Sequence, residues 1–567
     1  MLKQFIKKWD RLVSLLWERK RSRVLFRGQY GVKMKPVPTQ IVNPPAVIGI
    51  YPNVGTCQLC WIDLDAHPGI LGQYYNEKSR LLPFLKALGN VVPVFCTDTY
   101  GKAVELLFRL KTEEISDCFI ATTNLEILSA CYQEYPKVGR VWCVSDDMEQ
   151  SAIVKTAHSN RVNVICSKTG WSQEVVFYFK QRLLTVWQYA KGDRISLCEA
   201  LVSGCRGVIT EQPEAFASLL TEISQKTTII GQPIIIGHRG ISSNLTYMEN
   251  TLTTAIESVK LGANVIDIDT RLTKDGRLIA FHGWTIDRIL EGEGEVRSYT
   301  LSQLQKMKFR YGLNPEEKVL PLEEFFQRMM ETFPHKHLMF TCEIGGDIVE
   351  SVAKLKEILD RFPNLQDSLM VKCKNGKYGY SELKKQLPYL PVRNYLNDVI
   401  SPRDCAKSTI LHIIGELHQR SIPWCAKYRK FHKKLLQQLQ LRSTIVIKLM
   451  QNTKEKIESD LFSGIELLCT DVNLLAGFFF ALNAEKEVHL SMGETYSPMA
   501  TAVGCEGATE VIPDGVFFLE NSDICVQKDG SIYANKSGSC VLLWIKTLKY
   551  HNTVYQILSE PIKIIVK

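Results

Sequence analysis

The chain has 567 residues, with 69 basic and 60 acidic side chains and a net charge of +9. That length holds three or four domains with ample material for buried cores, and so mild a positive balance, without an aromatic-interleaved basic stripe, argues against nucleic acid as a partner. The 17 cysteines are odd in number and sit mostly singly inside apolar runs, where a thiol acts as a small hydrophobe, so they indicate a reducing compartment rather than a disulfide framework. Cys57 and Cys60 spell C-x-x-C, but no second pair follows at zinc-ribbon spacing, and they read as core thiols on a strand.

In chain order, residues 1–40 open with Leu2, Phe5, Ile6, Trp9, Leu12, Val13, Leu16 and Trp17 at helical spacing among many lysines and arginines. A basic amphipathic helix of this kind, over residues 2–23, fits peripheral contact with an anionic membrane or packing on its own protein, and periodicity does not separate the two. No stretch approaches the roughly 18 apolar residues of a membrane span, and no signal peptide is evident, so the expected location is cytoplasmic, including the inner face of the membrane.

Residues 45–229 carry eight apolar runs, from AVIGI at Ala46 to GVIT at Gly207, mostly separated by helical segments. This pattern predicts a compact α/β barrel. Residues 231–482 repeat the pattern and add chemistry. PIIIG ends at His238, NVIDID carries Asp267 and Asp269, LIAF ends at His282, and LMFTC ends at Glu343. Four strands that each deliver a polar group at the C-terminal end are how a parallel (β/α)8 TIM-type barrel builds a site at one mouth. Residues 487–567 change to short alternating strands with turns at Asp529-Gly530 and Ser537-Gly538, predicting an all-β unit.

Three elements carry a resemblance: His238-Arg239-Gly240, Glu249-Asn250-Thr251, and the segment GANVIDIDTRLTKDGRLIAFHGWTIDR at Gly262–Arg288. Together they resemble the core of the glycerophosphodiester phosphodiesterase family, as do VLPLEEFF at Val319 and GIELLCTD at Gly464. The resemblance implies hydrolysis of a small-molecule or lipid-derived glycerol-phosphate diester. It implies His238 and His282 as the acid/base pair and Arg239 as the phosphate ligand. It also implies a divalent metal, Mg²⁺ or Ca²⁺, on Glu249, Asp267, Asp269 and Glu343. The tail of the first barrel (Val162–Cys166, Thr185–Tyr189, Gly204–Thr210) can be laid on that of the second, suggesting a tandem pair whose first copy lacks HRG, ENT and paired-histidine equivalents and is degenerate. In that copy Asp63, Asp65 and Asp98 stand where the acids would be. KDGSIYANKSGSCVLLWIK, at Lys528, resembles the bacterial Ig-like group 2 module, a small β-sandwich.

Three departures from the family pattern stand out. Asp267 replaces a glutamate, Gly283 an aspartate, and Gly345 a phosphate-holding lysine, for which Lys372 or Lys448 is the candidate substitute. A rival reading is therefore a degenerate barrel that binds phosphodiesters without turnover. A second rival is a related phospholipase D type enzyme that cyclises its product.

Overall fold

The computed structural model describes residues 33–567 except 72–80, 242–246, 313, 315, 335, 374–375, 394–409, 428–432, 452, 471 and 529, so the amphipathic segment 2–23 lies outside the described residues. Strands β1 (Ala46–Ile50), β2 (Leu59–Asp63), β3 (Val92–Cys96), β4 (Phe119–Thr122), β5 (Gly139–Cys143), β6 (Val164–Ser167), β7 (Thr185–Tyr189) and β8 (Gly207–Thr210) close into a parallel barrel. Each run is apolar on both faces because one face fills the lumen and the other meets the surrounding helices. Ile48, Leu59, Val94, Phe119, Val141 and Trp187 pack the lumen.

A two-residue strand, β9 (Thr228–Ile229), lies in the connector to the second sheet. That sheet comprises β10 (Ile234–Gly237), β11 (Val265–Leu272), β12 (Leu278–Ala280), β13 (Met339–Ile344), β14 (Leu369–Cys373), β15 (Trp424–Lys427), β16 (Val446–Gln451) and β17 (Leu467–Thr470). Its parallel strands run in the order β14-β13-β11-β10-β17-β16-β15. Val392 forms a further parallel bridge to Val371 of β14. Ile234, Ile236, Val265, Met339, Met370 and Ile447 form its lumen core.

One expectation is corrected. Leu278–Phe281 is not a barrel strand: β12 pairs antiparallel with β11 as a hairpin arm. The Lys274-Asp275-Gly276 turn is far too short for a parallel crossover, which needs about a dozen residues or more. His282 therefore reaches the mouth from a hairpin.

The closed barrel and the second sheet meet base to base, at the N-terminal ends of their strands. Leu441, just before β16, completes the lumen core of the first barrel, and Leu183, just before β7, completes that of the second. The Trp187 indole donates to Ser443 Oγ at 2.6 Å. Arg442 makes a bidentate pair with Asp117, both bonds 2.7 Å. In the opposite direction Arg182 Nε donates to the Asp367 carbonyl at 2.9 Å.

Residues beyond Phe479 are all β, arranged as three small sheets. The central one takes β9 as an edge: Gln556 and Ile557 of the strand Thr553–Leu558 pair in parallel with Thr228 and Ile229. Among the described residues no helix is long and apolar enough to cross a membrane.

Arg442 is 0% and Asp117 2% exposed in their side chains, so removing one partner strands a charge in the interface. Asp117→Ala is expected to lower stability by about 3 kcal/mol, measured as a fall in the urea midpoint at unchanged slope.

Candidate active site

Register brings the expected residues to one mouth. Gly237 pairs with Ile266 on one side and Thr470 on the other, so His238 leaves β10 level with Asp267. Asp269 pairs with Glu343, and Glu343 with Lys372. Asp267, Asp269, Glu343 and Lys372 alternate with buried outward residues and share the lumen side with Val265, Met339 and Met370.

The turn at His238-Arg239-Gly240 is pressed onto the helix Leu252–Lys260. Arg239 has φ 52° and Gly240 φ 85°. A Cβ on Gly240 would stand 2.5 Å from the Thr254 methyl, so only glycine fits there. Thr251 caps that helix, accepting from Thr254 N. Asn250 accepts from Asp269 N at 2.9 Å and donates to Asp269 Oδ2 at 3.3 Å, which orients the carboxylate.

Arg239 is the hub. Its Nε lies 2.9 Å from Asp269 Oδ2 and its Nη1 3.0 Å from Glu249 Oε2. The two terminal nitrogens also stand 3.0 Å from the ring nitrogens of His282. Glu249 in turn holds His282 Nδ1 at 3.1 Å and pairs with Arg288. His238 sits partly exposed at the mouth, its amide donating to the Thr470 carbonyl at 3.2 Å.

Burial alone would raise the Glu249 carboxyl, but hydrogen bonds from His282 and Arg288 and the charge of Arg239 hold it well below the usual carboxylate range. Burial pushes Asp267 and Asp269 up, offset in part by Arg393 and Arg239 respectively. Arg239 is correspondingly raised: its burial is outweighed by Asp269 and Glu249.

The three departures are linked to new partners. Asp267 Oδ1 accepts from Arg393 at 2.5 Å, and Arg393, 1% exposed, also donates to Thr341 Oγ1 at 2.9 Å. Arg271 lies between the two glycines. Its Nε donates to the Gly283 carbonyl at 2.8 Å, and a Cβ on Gly345 would stand 2.7 Å from its Nη1. Lys372 pairs with Glu343. Lys448 does not join the mouth: it lies on the face of β16 shared with Val446, opposite the lumen residue Ile447, where its charge acts on Asp460.

The carboxylates are hard oxygen donors of the class Mg²⁺ and Ca²⁺ prefer, but as arranged they do not fit a metal. Each is met by a cation: Glu249 by Arg239 and Arg288, Asp267 by Arg393, Asp269 by Arg239, and Glu343 by Lys372. Among the described residues no three His, Cys, Asp or Glu side chains are grouped to hold an ion. Cys57 and Cys60 are buried, and burial pushes their thiols up to about 11 and about 12, which opposes ligation or redox work.

At the first barrel's mouth, Asp65 accepts from Thr97, Thr99 and Lys102, and Asp98 from Thr122 and the Thr123 amide. Both acids are occupied in fixing loops.

Residues 238–420 match the model of the glycerophosphoryl diester phosphodiesterase family. A glycerophosphodiester phosphodiesterase of Caldanaerobacter subterraneus is 31% identical over 165 residues, 28% of this chain and 65% of that protein. The mouse glycerophosphodiester phosphodiesterase 1 is 30% identical over 141 residues, 24% of this chain and 41% of that protein. The chain thus spans less than two thirds of the length of these relatives. A phosphodiesterase of Oleispira antarctica, solved with the product sn-glycerol-3-phosphate, is 18% identical, with a TM-score of 0.36, over 43% of this chain and 94% of that one.

Burial raises Asp460 to about 6, with Lys448 offsetting part of the effect. A carboxyl raised in the folded state contributes stability that is complete below its unfolded pKa of about 3.9 and is lost as pH rises through the folded value. Asp460→Asn is therefore expected to be more stable than the natural chain above pH 6, with the difference closing by about pH 4, read from thermal unfolding across that range.

Proposed function

We propose that the second barrel hydrolyses glycerophosphodiesters or related glycerol-phosphate diesters, giving a phosphomonoester and an alcohol. The observation that supports this most is the interlocked set Arg239, Glu249, Asp269 and His282 at one barrel mouth, inside the segment that matches the family. In this reading Arg239 and Arg288 meet the phosphate, their forks matching two oxygens each. His238 and His282 stand at the rim as the acid and base, one activating the nucleophile and the other protonating the departing alkoxide. Asn250 and Glu249 position Asp269 and His282.

The reading assigns neutralisation of the phosphate charge to the guanidinium and ammonium groups already in the mouth, and in particular leaves Asp267 to Arg393. Hydrolysis is accordingly expected to persist in chelator. Calorimetric titration with Mg²⁺ or Ca²⁺ is the check. Saturable binding, with activity that appears only on adding metal, would restore the four carboxylates as ligands. In either case His282→Ala should lower kcat/KM on a glycerophosphodiester by about 100-fold or more.

The same saturation of carboxylates by cations favours a second reading, a barrel that binds such diesters without turnover. Tight binding of glycerol 3-phosphate by a protein that turns over none of the diesters would establish it.

We further propose that the barrels are a tandem pair whose first copy serves as scaffold. What supports this is the reciprocity of their base contacts: Arg182 precedes Leu183 at φ 59°, Arg442 precedes Ser443 at φ 57°, and each arginine reaches an aspartate of the other barrel. The C-terminal strands are assigned to an Ig-like sandwich and residues 2–23 to peripheral membrane contact. The free thiols support a reducing, cytoplasmic setting.

A further inference from the structure

Between β12 and the helix Leu322–Thr332 the chain makes an excursion with a small core of its own, in which Met248, Ile286, Leu290 and Leu304 pack together. Against its flank lies a cavity of about 300 Å³, lined by Tyr247, Thr253, Phe309, Tyr311, Asn314 and Glu317. The cavity adjoins the site. Met248 and Thr251, which flank Glu249 and Asn250, form part of its wall, and Arg288, which touches both Glu249 and His282, extends its Nη1 to the Tyr311 hydroxyl at 3.4 Å.

We propose that this cavity is the subsite for the alcohol half of the diester and that it takes a ring-shaped polyol, of the size of a hexose or a cyclitol. The inference rests on the diester reading above and deepens it. Three partly exposed aromatic side chains offer flat apolar faces, while Thr253, Asn314, Glu317 and the two phenols supply hydroxyl, amide and carboxylate groups to pair with several hydroxyls at once. Asn314 Nδ2 lies 3.4 Å from both Thr253 Oγ1 and Glu317 Oε2, so these groups form one edge. About 300 Å³ is at the lower bound of small-molecule pockets, room for one ring but not for an acyl chain. A cationic alcohol fits less well: the lining has a single carboxylate, Glu317, which already accepts from Asn314, while the Arg288 guanidinium reaches the Tyr311 hydroxyl of the same wall. A site that pairs with substrate hydroxyls rejects analogues lacking them strongly, because its own polar groups are then left unpaired.

The test uses the full chain with Asn314→Ala and Glu317→Gln, neither of which touches the proposed acid/base residues. The wild type should favour glycerophosphoinositol over glycerophosphocholine and glycerophosphoethanolamine in kcat/KM. Each substitution should raise KM for the inositol diester roughly tenfold at similar kcat, with the ethanolamine diester changed by less than about twofold. A wild-type preference for the choline diester, or an equal loss on all three substrates, overturns the assignment. Binding of free myo-inositol, followed by saturation-transfer NMR, separates the subsite from the chemistry. Signal in the wild type that is lost in the double variant upholds the subsite even if no diester is hydrolysed, and no signal in the wild type overturns it even if hydrolysis is found.

Discussion

This molecule is organised around the burial of the closed barrel's base against the base of the second parallel sheet. A parallel barrel leaves the N-terminal end of its lumen open, and here each lumen is stoppered by a leucine from the opposite barrel, Leu441 in one direction and Leu183 in the other. The cost of burying backbone turns at such a junction is met by arginines, which can satisfy several carbonyls from one planar group. Arg140 alone donates to the carbonyls of Arg161, Pro136, Val138 and His418. Because the bases are consumed, the two mouths point away from each other, and the second carries His238 and His282.

The site itself is a balance of charges rather than a cluster of acids. Four carboxylates converge on one mouth, a convergence that water alone would not support in a half-buried space, and the chain answers with Arg239, Arg288, Arg393 and Lys372. The linked positions make physical sense of the departures from the family pattern. A shorter acid at 267 is matched by a buried guanidinium from residue 393, and glycines at 283 and 345 leave space and a carbonyl for Arg271.

Much of this was legible in the sequence. The β-branched runs that end in His238, Asp267, Asp269 and Glu343 are local signals, and periodicity locates them. What escaped has a common cause. Arg393 and Asp267 are 126 residues apart, and nothing in the local pattern of PVRN distinguishes a buried partner from a surface arginine. Arg288 and Asn250 were hidden in the same way, although Asn250 stands directly beside Glu249. For Lys448 the error was one of facing: a polar residue in an apolar strand invites assignment to the mouth, but its parity with Val446 places it outward. The hairpin that carries His282 could have been read from the brevity of its turn.

The edge strand β9 has a bearing on how the chain comes to be assembled. It belongs to the connector between barrels, yet its partner strand is Thr553–Leu558, and Gln556 reaches across 328 positions to the Thr228 hydroxyl. Pairing over such a sequence distance is entropically late. During synthesis the connector must therefore wait, its edge open, until nearly all of the chain described here has been made, and the final sheet then acts as a latch that fastens the junction between barrels already formed.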